Sequence, residues 1–207
     1  MVQSITLSLI HISDMTEEQG EIILYGLQLL VGEFPKMILL FGLSFILGFG
    51  LEMVFAYFAI LPYRTVSGGF HLHTHLGCII GSIIFYYGNV LLSRFIVLNS
   101  IEKYILVALS FLFGILMISI YAPADTENVP IISKKERKNK KILSYITLTI
   151  TLIASLVIQN QVYSNILIIG TIIQTISITR LAYKLTNNKY GYEAVSYTHL
   201  DVYKRQH

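Results

Sequence analysis

Residues 76–96 have the sequence LGCIIGSIIFYYGNVLLSRFI, which is apolar over nearly its whole length. About 20 apolar residues are enough for a helix to cross the hydrocarbon core of a bilayer, and this stretch has that length. The rest of the chain has the same character, because 54% of its 207 residues are hydrophobic, 13% are charged and the mean hydropathy is +0.65. A soluble domain of this size is less apolar, so the composition predicts an integral membrane protein.

Other apolar runs accompany this stretch, and together they predict about six transmembrane helices. The later runs are long enough to span a bilayer, whereas the first two are short and are separated by little more than Gly48 and Gly50. Those two runs form either a tight hairpin or one broken helix. The hairpin is favoured because the positively charged loops of the chain then lie on the cytoplasmic side of the membrane. The predicted fold class is therefore all-α, a polytopic helical membrane protein. Its further apolar runs are residues 34–49, 51–62, 101–121, 142–158 and 162–183.

Charged residues predict the orientation of the chain. The loop between the fourth and fifth runs is rich in cations, which the positive-inside rule places in the cytoplasm. We interpret this loop as a topology signal rather than as a specific binding patch. Counting the spans backwards from this loop places residues 64–78 on the cytoplasmic side. Residues 16–33 have the pattern of an N-terminal amphipathic helix, which we expect to lie along the inner leaflet. The cations are Lys134, Lys135, Arg137, Lys138, Lys140 and Lys141.

Both ends of the chain are predicted to be non-native. Residues 195–206, VSYTHLDVYKRQ, match the translation of a common transposon sequencing adapter joined to its own reverse complement, and residues 7–12, LSLIHI, match the same adapter in another frame. We therefore predict that residues 1–13 and 195–207 derive from the adapter. A single domain remains at residues 14–194, and its one cysteine excludes an intrachain disulfide.

The chemistry of this chain is expected at Cys78, which lies close in sequence to His71, His73 and His75. A cysteine beside a transmembrane helix is most often a small packing residue. Three imidazoles at a membrane surface point to function instead, and a thiol with an imidazole is what a thiol hydrolase requires. A metal site is the alternative, because His71, His75 and Cys78 share one face of a helix.

Helix geometry restricts the hydrolase interpretation. On one straight helix, His71 and Cys78 would lie roughly 10 Å apart along the axis, which is too far for proton transfer. The segment should therefore bend at Gly68 and Gly69, with Thr74 as the N-cap of a helix that begins near His75. Cys78 would then lie near the positive N-terminal end of that helix, which favours a thiolate. Without the bend, His75 becomes the better base.

Two motifs make the chain resemble the membrane peptidases of accessory gene regulator quorum-sensing systems, the AgrB family. The first is R-x-x-x-G-G-[FY]-H-x-x-T at residues 64–74 with Cys78 following, and the second is YAPADTENVP at residues 121–130 with a basic block after it. The resemblance covers residues 16–190, so residues 14–194 are expected to form one AgrB-like integral membrane peptidase domain. It implies that His71 is the catalytic histidine and that Cys78 is the nucleophile.

The same resemblance places Arg64 and Gly69 at positions that the motif requires, and we expect both to support the site. Arg64 is expected to hold a carboxylate of the precursor or a backbone carbonyl beside the motif, or it is an ordinary membrane-edge residue whose side chain reaches the lipid surface. The polar loop at residues 122–141 is predicted to face the same side as Cys78, so Asp125 is a candidate for orienting His71 or binding the precursor, or it shapes the turn with Pro123 and Pro130.

The implied function is a cytoplasmic-side cysteine endopeptidase of a bacterial cell membrane. It would cleave the C-terminal tail from a signalling-peptide precursor, similar to AgrD, and promote closure of a thiolactone or lactone ring through a thioester on Cys78. The predicted partners are that precursor and the lipid bilayer, with a homodimer left open, no nucleic acid and no cofactor. Two alternatives stay open, a non-catalytic membrane subunit for peptide export and a metal-dependent membrane enzyme that uses His71, His75 and Cys78.

Overall fold

A computed structural model describes residues 34–70, 72, 74–126, 131 and 133–191. The predicted amphipathic helix at 16–33 and both predicted adapter segments lie outside these residues. The described part of the chain is helical, with one isolated β-bridge and no named strand, so the all-α class is confirmed there. Its helices are α1 (Phe34–Ile46), α2 (Gly50–Ser67), α3 (His75–Phe95), α4 (Ser100–Tyr121), α5 (Lys134–Val157), α6 (Gln161–Ser177) and α7 (Arg180–Leu185).

Three of the helices in the described part of the chain are long and apolar enough to cross a membrane: Leu76–Phe95 within α3, Ser100–Tyr121 (α4) and Lys134–Val157 (α5). They correspond to three of the six predicted spans, so the predicted total of six is not confirmed. The run at 162–183 is not one helix. It is divided between α6 and α7, and the hydroxyl of Thr179 caps α7 by accepting a hydrogen bond from the N–H of Ala182. Hydropathy predicts an apolar environment without marking such a break.

The first two apolar runs are separate helices. The chain divides into two compact units, residues 1–50 and 51–207. In the first unit, α1 ends before Gly48, whose φ of 78° is a left-handed conformation that glycine adopts readily. The break between α1 and α2 agrees with the sequence, and their predicted arrangement as a hairpin stays a prediction.

Helix ends in the second unit are fixed by polar caps. Asn99 and Glu102 form a reciprocal capping box at the start of α4. Ser133 caps α5, so this helix begins within the basic segment, before the apolar run. Asn160 caps α6. Each cap satisfies backbone N–H groups that the first turn of a helix leaves without partners.

α6 lies at the centre of the second unit and packs against α3, α4 and α5. Most of its side chains are buried, including polar ones, and several of these are hydrogen-bonded to neighbouring helices. Asn165 donates to the carbonyl of Ser93 at 3.2 Å, and Asn89 donates to the carbonyl of Ile166 at 3.2 Å. A β-carbon on Gly170 would come within 2.7 Å of Asn89 Nδ2, so α3 approaches α6 closely.

Candidate active site

The polypeptide turns sharply where α2 ends. α2 stops at Ser67, and the next two residues have positive φ, 77° at Gly68 and 143° at Gly69. Two backbone hydrogen bonds fix this turn to the segment after α4, because Ala124 donates to the carbonyl of Ser67 at 2.9 Å and accepts from the N–H of Gly69 at 3.0 Å. A β-carbon on Gly68 would run into the carbonyl oxygen of Ala124. The turn therefore requires glycine at position 68.

Between the turn and α3, Leu72 packs against the first turns of α3. Thr74 is the N-cap of α3, and its hydroxyl accepts a hydrogen bond from the N–H of Gly77 at 3.0 Å. The side chain of Leu72 covers the adjoining helix face, since a β-carbon on Gly81 would come within 2.8 Å of Leu72 Cδ1. The predicted interruption of the helix and the predicted cap at Thr74, with α3 beginning at His75, are confirmed.

Cys78 lies in the first turns of α3, where its N–H donates to the carbonyl of Thr74 at 2.9 Å. Its side chain is partly buried. Helical periodicity places Cys78 on the same face as Phe85, Asn89 and Ser93, and the last two are buried against α6. The thiol is therefore at one end of the face that α3 turns toward the bundle.

The predicted histidines are not placed by the structure. His71 and His73 lie outside the described residues, as does the side chain of His75. The distance from Cys78 to an imidazole, and with it the choice of base, stays a prediction. Among the described side chains, no group of three histidine, cysteine, aspartate or glutamate residues is placed to hold a metal ion. The side chains of the predicted metal ligands His71 and His75 lie outside this set.

Arg64 lies between helices near the end of α2. Its Nη1 donates a hydrogen bond to Gln174 Oε1 at 3.1 Å, and its Cζ lies 5.4 Å from the centre of the Phe85 ring. Phe85 is two turns beyond Cys78 on the same face of α3, or roughly 10 Å along the axis. The guanidinium is thus partly buried and in contact with α3 and α6.

Gln174 is a residue that the motif did not indicate. It is fully buried on α6, and its Nε2 donates to the carbonyl of Gly68 at 2.7 Å and to Ser67 Oγ at 3.0 Å. Its Oε1 accepts the hydrogen bond from Arg64. A glutamine in an apolar run is the signal that sequence reasoning overlooked, since polar side chains inside membrane segments are seldom without a role.

Asp125 directly follows Ala124, the residue paired with the glycine turn. Its side chain is 1% exposed, and its Oδ2 accepts hydrogen bonds from Arg137 Nη1 at 2.8 Å and from the N–H of Ile131 at 2.9 Å. Its Oδ1 is buried and has no hydrogen-bond partner within the described part of the chain. The neighbouring carbonyls of Ala124 and Asp125 both accept from the hydroxyl of Tyr183, at 2.8 and 3.1 Å. Asp125 is thus held in place through Oδ2, while Oδ1 makes no hydrogen bond to any described residue.

Comparison with known proteins agrees with the motifs. The family described as accessory gene regulator B matches residues 2–178. An AgrB-like protein of Listeria monocytogenes serotype 4a is 32% identical over 176 residues, which cover 84% of each chain. An AgrB-like protein of Listeria welshimeri is also 32% identical over the same coverage. The accessory gene regulator protein B of Staphylococcus aureus strain JH9 is 31% identical over 153 residues, 74% of this chain and 79% of that protein.

No solved structure matches this chain significantly. The family match extends over all of α1 to α6, and the described helices that can cross a membrane lie within it. The chain therefore belongs to the accessory gene regulator B family and is a membrane protein involved in accessory gene regulation.

Proposed function

We propose that this chain is a membrane-embedded cysteine endopeptidase, with Cys78 as the nucleophile and His71 as its base. The observation that supports this most is the break between α2 and α3, followed by the return of Leu72 across the first turns of α3. One straight helix would separate His71 and Cys78 by roughly 10 Å, too far for proton transfer, and the break shows that the two residues do not lie on one straight helix. The break therefore supports the proposed pair, and the distance between the thiol and the imidazole stays a prediction.

The proposed reaction has two halves that share one intermediate. The imidazole of His71 takes the proton from the Cys78 thiol, and the thiolate attacks the scissile carbonyl carbon. When the C–N bond breaks, the imidazole returns that proton to the departing amine of the C-terminal tail, which leaves a thioester on Cys78. A thiol of the precursor then attacks the thioester, closes a thiolactone ring and restores the Cys78 thiol, while a hydroxyl would give a lactone.

The proposed substrate is an AgrD-like peptide precursor at the cytoplasmic surface of the cell membrane. Membership of the accessory gene regulator B family supports this partner. The basic first third of α5 supports a cytoplasmic site, because the positive-inside rule places such segments in the cytoplasm. Exclusion of water by the surrounding protein and membrane would protect the thioester from hydrolysis.

Arg64 is proposed to bind a carboxylate or a backbone carbonyl of the precursor. The guanidinium has five N–H donors, and the hydrogen bond to Gln174 uses one of them. Its contact with Phe85 places the charge on the face of α3 that carries Cys78. A fixed, partly buried guanidinium is suited to recognising planar acceptors.

The acyl-enzyme is the most direct test of this function. The purified protein in lipid vesicles is mixed with the precursor encoded by the neighbouring short open reading frame, after replacement of its ring-closing residue by alanine. We expect the enzyme to gain the mass of the N-terminal precursor fragment, because no internal nucleophile remains to release it. Neutral hydroxylamine should remove that mass, since it cleaves thioesters. Cys78→Ala is the control, and an adduct of equal mass on this variant would exclude the mechanism.

Asp125 is proposed to orient His71 through Oδ1, the oxygen without a partner among the described residues. We expect Asp125→Asn to lower cleavage about tenfold and to shift the acidic limb of its pH profile to lower pH, because a neighbouring carboxylate favours a protonated imidazole. Arg137→Gln is the comparison, since it breaks the same ion pair and leaves the carboxylate in place. Equal losses in both variants with unchanged pH profiles would reduce Asp125 to a structural role.

A further inference from the structure

Gln174 joins two parts of the candidate site through opposite ends of one amide. It is 0% exposed and lies on α6, more than a hundred residues away in sequence from the turn that it contacts. Oε1 accepts from Arg64 Nη1, and Nε2 donates to the carbonyl of Gly68. The orientation of the amide is forced, because a guanidinium can only donate and a carbonyl can only accept. Rotating the amide by 180° would break both contacts.

The turn that Gln174 contacts is attached to α6 at further points. Ser67 Oγ accepts the second hydrogen bond of Gln174 Nε2, and the N–H of Phe70 donates to the carbonyl of Ser177 at 3.4 Å. A β-carbon on Gly69 would come within 2.8 Å of Ser177 Oγ. One turn of α6 therefore forms a surface on which residues 67–70 are held, and the next residue in the chain is His71.

Carbonyl groups at the C-terminal end of a helix have no partner within that helix. The carbonyl of Gly68 is in this position at the end of α2, and Gln174 satisfies it. A buried amide group inside a membrane bundle is costly unless it is hydrogen-bonded, and this one uses both its donor and its acceptor end. The contact is therefore specific in both position and direction.

We infer that Gln174 is a positioning residue for the proposed endopeptidase, one that fixes the Arg64 guanidinium relative to the glycine turn that leads into His71. The inference rests on the proposed function. Gln174 acts through Arg64 and Gly68 and takes no part in proton transfer. Its role is to keep the group that would bind the precursor and the turn before the proposed base in one fixed geometry.

The test compares Gln174→Met, which keeps the shape and removes every hydrogen bond, with Asn165→Leu. Asn165 is an equally buried amide on the same helix, and it donates to Ser93 and Ile96 at the other end of α3. We expect Gln174→Met to lower kcat about tenfold and to raise KM, because the turn before His71 and the Arg64 guanidinium both lose their fixed positions, and Asn165→Leu to change kcat less than twofold. If the two variants lose activity in parallel with their thermal stability, Gln174 has only a structural role and the inference is wrong.

Gln174→Glu separates the two ends of the amide. The carboxylate keeps an acceptor for Arg64, but it cannot donate to Gly68 or Ser67 and places negative charge against the Gly68 carbonyl. We expect the same loss of kcat as in Gln174→Met. Full activity of Gln174→Glu would overturn the link between Arg64 and the turn.

Alkylation of Cys78 by iodoacetamide is a second measurement, and it needs no precursor. Because Cys78 is the single cysteine of the chain, the labelling reports on this thiol alone. We expect Gln174→Met to slow labelling at neutral pH, since a displaced imidazole no longer takes the proton from the thiol. The proposed function itself fails if Cys78→Ala still cleaves the precursor. The inference alone fails if Cys78→Ala is inactive while Gln174→Met matches the wild-type protein in both kcat and labelling.

Discussion

Replacement of Cys78 by alanine should abolish precursor cleavage, with a loss of at least about a thousandfold, because no thioester can form without the thiol. Cys78→Ser should also be severely impaired, since a hydroxyl is far less acidic than a thiol and is a weaker nucleophile at neutral pH. Cleavage is measured by mass spectrometry with equal amounts of each variant in vesicles. The side chain is only partly buried, so alanine should leave the fold and the membrane insertion intact.

His71→Ala should match Cys78→Ala within about tenfold, because residues that act as one catalytic unit show non-additive losses. His73→Ala is the matched control, and its effect should be mild. The metal-dependent alternative predicts a different pattern, with comparable losses at His71 and His75 and with inhibition by chelators. The export-subunit alternative predicts full cleavage by Cys78→Ala. Each pattern excludes the other two.

The local features of this site could be predicted from the sequence. Gly68 and Gly69 indicated a turn, and Thr74 indicated a helix N-terminus, because glycine conformation and helix capping depend on a few neighbouring residues. The apolar runs indicated α3 and α4 nearly to the residue, since a membrane span is a property of one continuous segment. These are the features that the structure confirms.

Contacts between distant segments could not be predicted from the sequence. The partners of the glycine turn are Ala124 and Gln174, more than fifty and more than a hundred residues later in the chain. Nothing in either local sequence specifies that pairing, because it arises only when α2, the segment after α4 and α6 pack together. The break between α6 and α7 was missed for a related reason: isoleucine and leucine continue through it, and a threonine cap interrupts the helix without interrupting the apolar run.

Gly68→Ala should reduce cleavage roughly a hundredfold, because it displaces the turn next to the proposed base. The added β-carbon meets the carbonyl oxygen of Ala124, and the φ of 77° is unfavourable for alanine by about 1–3 kcal/mol. The clash pushes residue 68 away from Ala124 and the backbone penalty favours a different conformation of the turn, so the two backbone hydrogen bonds between the turn and Ala124 should break.

Gly88→Ala is the matched control for this variant. Gly88 lies within α3, has a negative φ, and no described atom comes within 4 Å of a β-carbon placed there. Its cleavage activity should stay within twofold of the wild-type protein, because the same methyl group is added where space and backbone conformation allow it. Membrane levels of both variants are compared by immunoblot, and cleavage is normalised to them. If Gly68→Ala cleaves as fast as Gly88→Ala at equal membrane levels, the contact with Ala124 does not position the catalytic segment, and the proposed geometry of the site loses its main support.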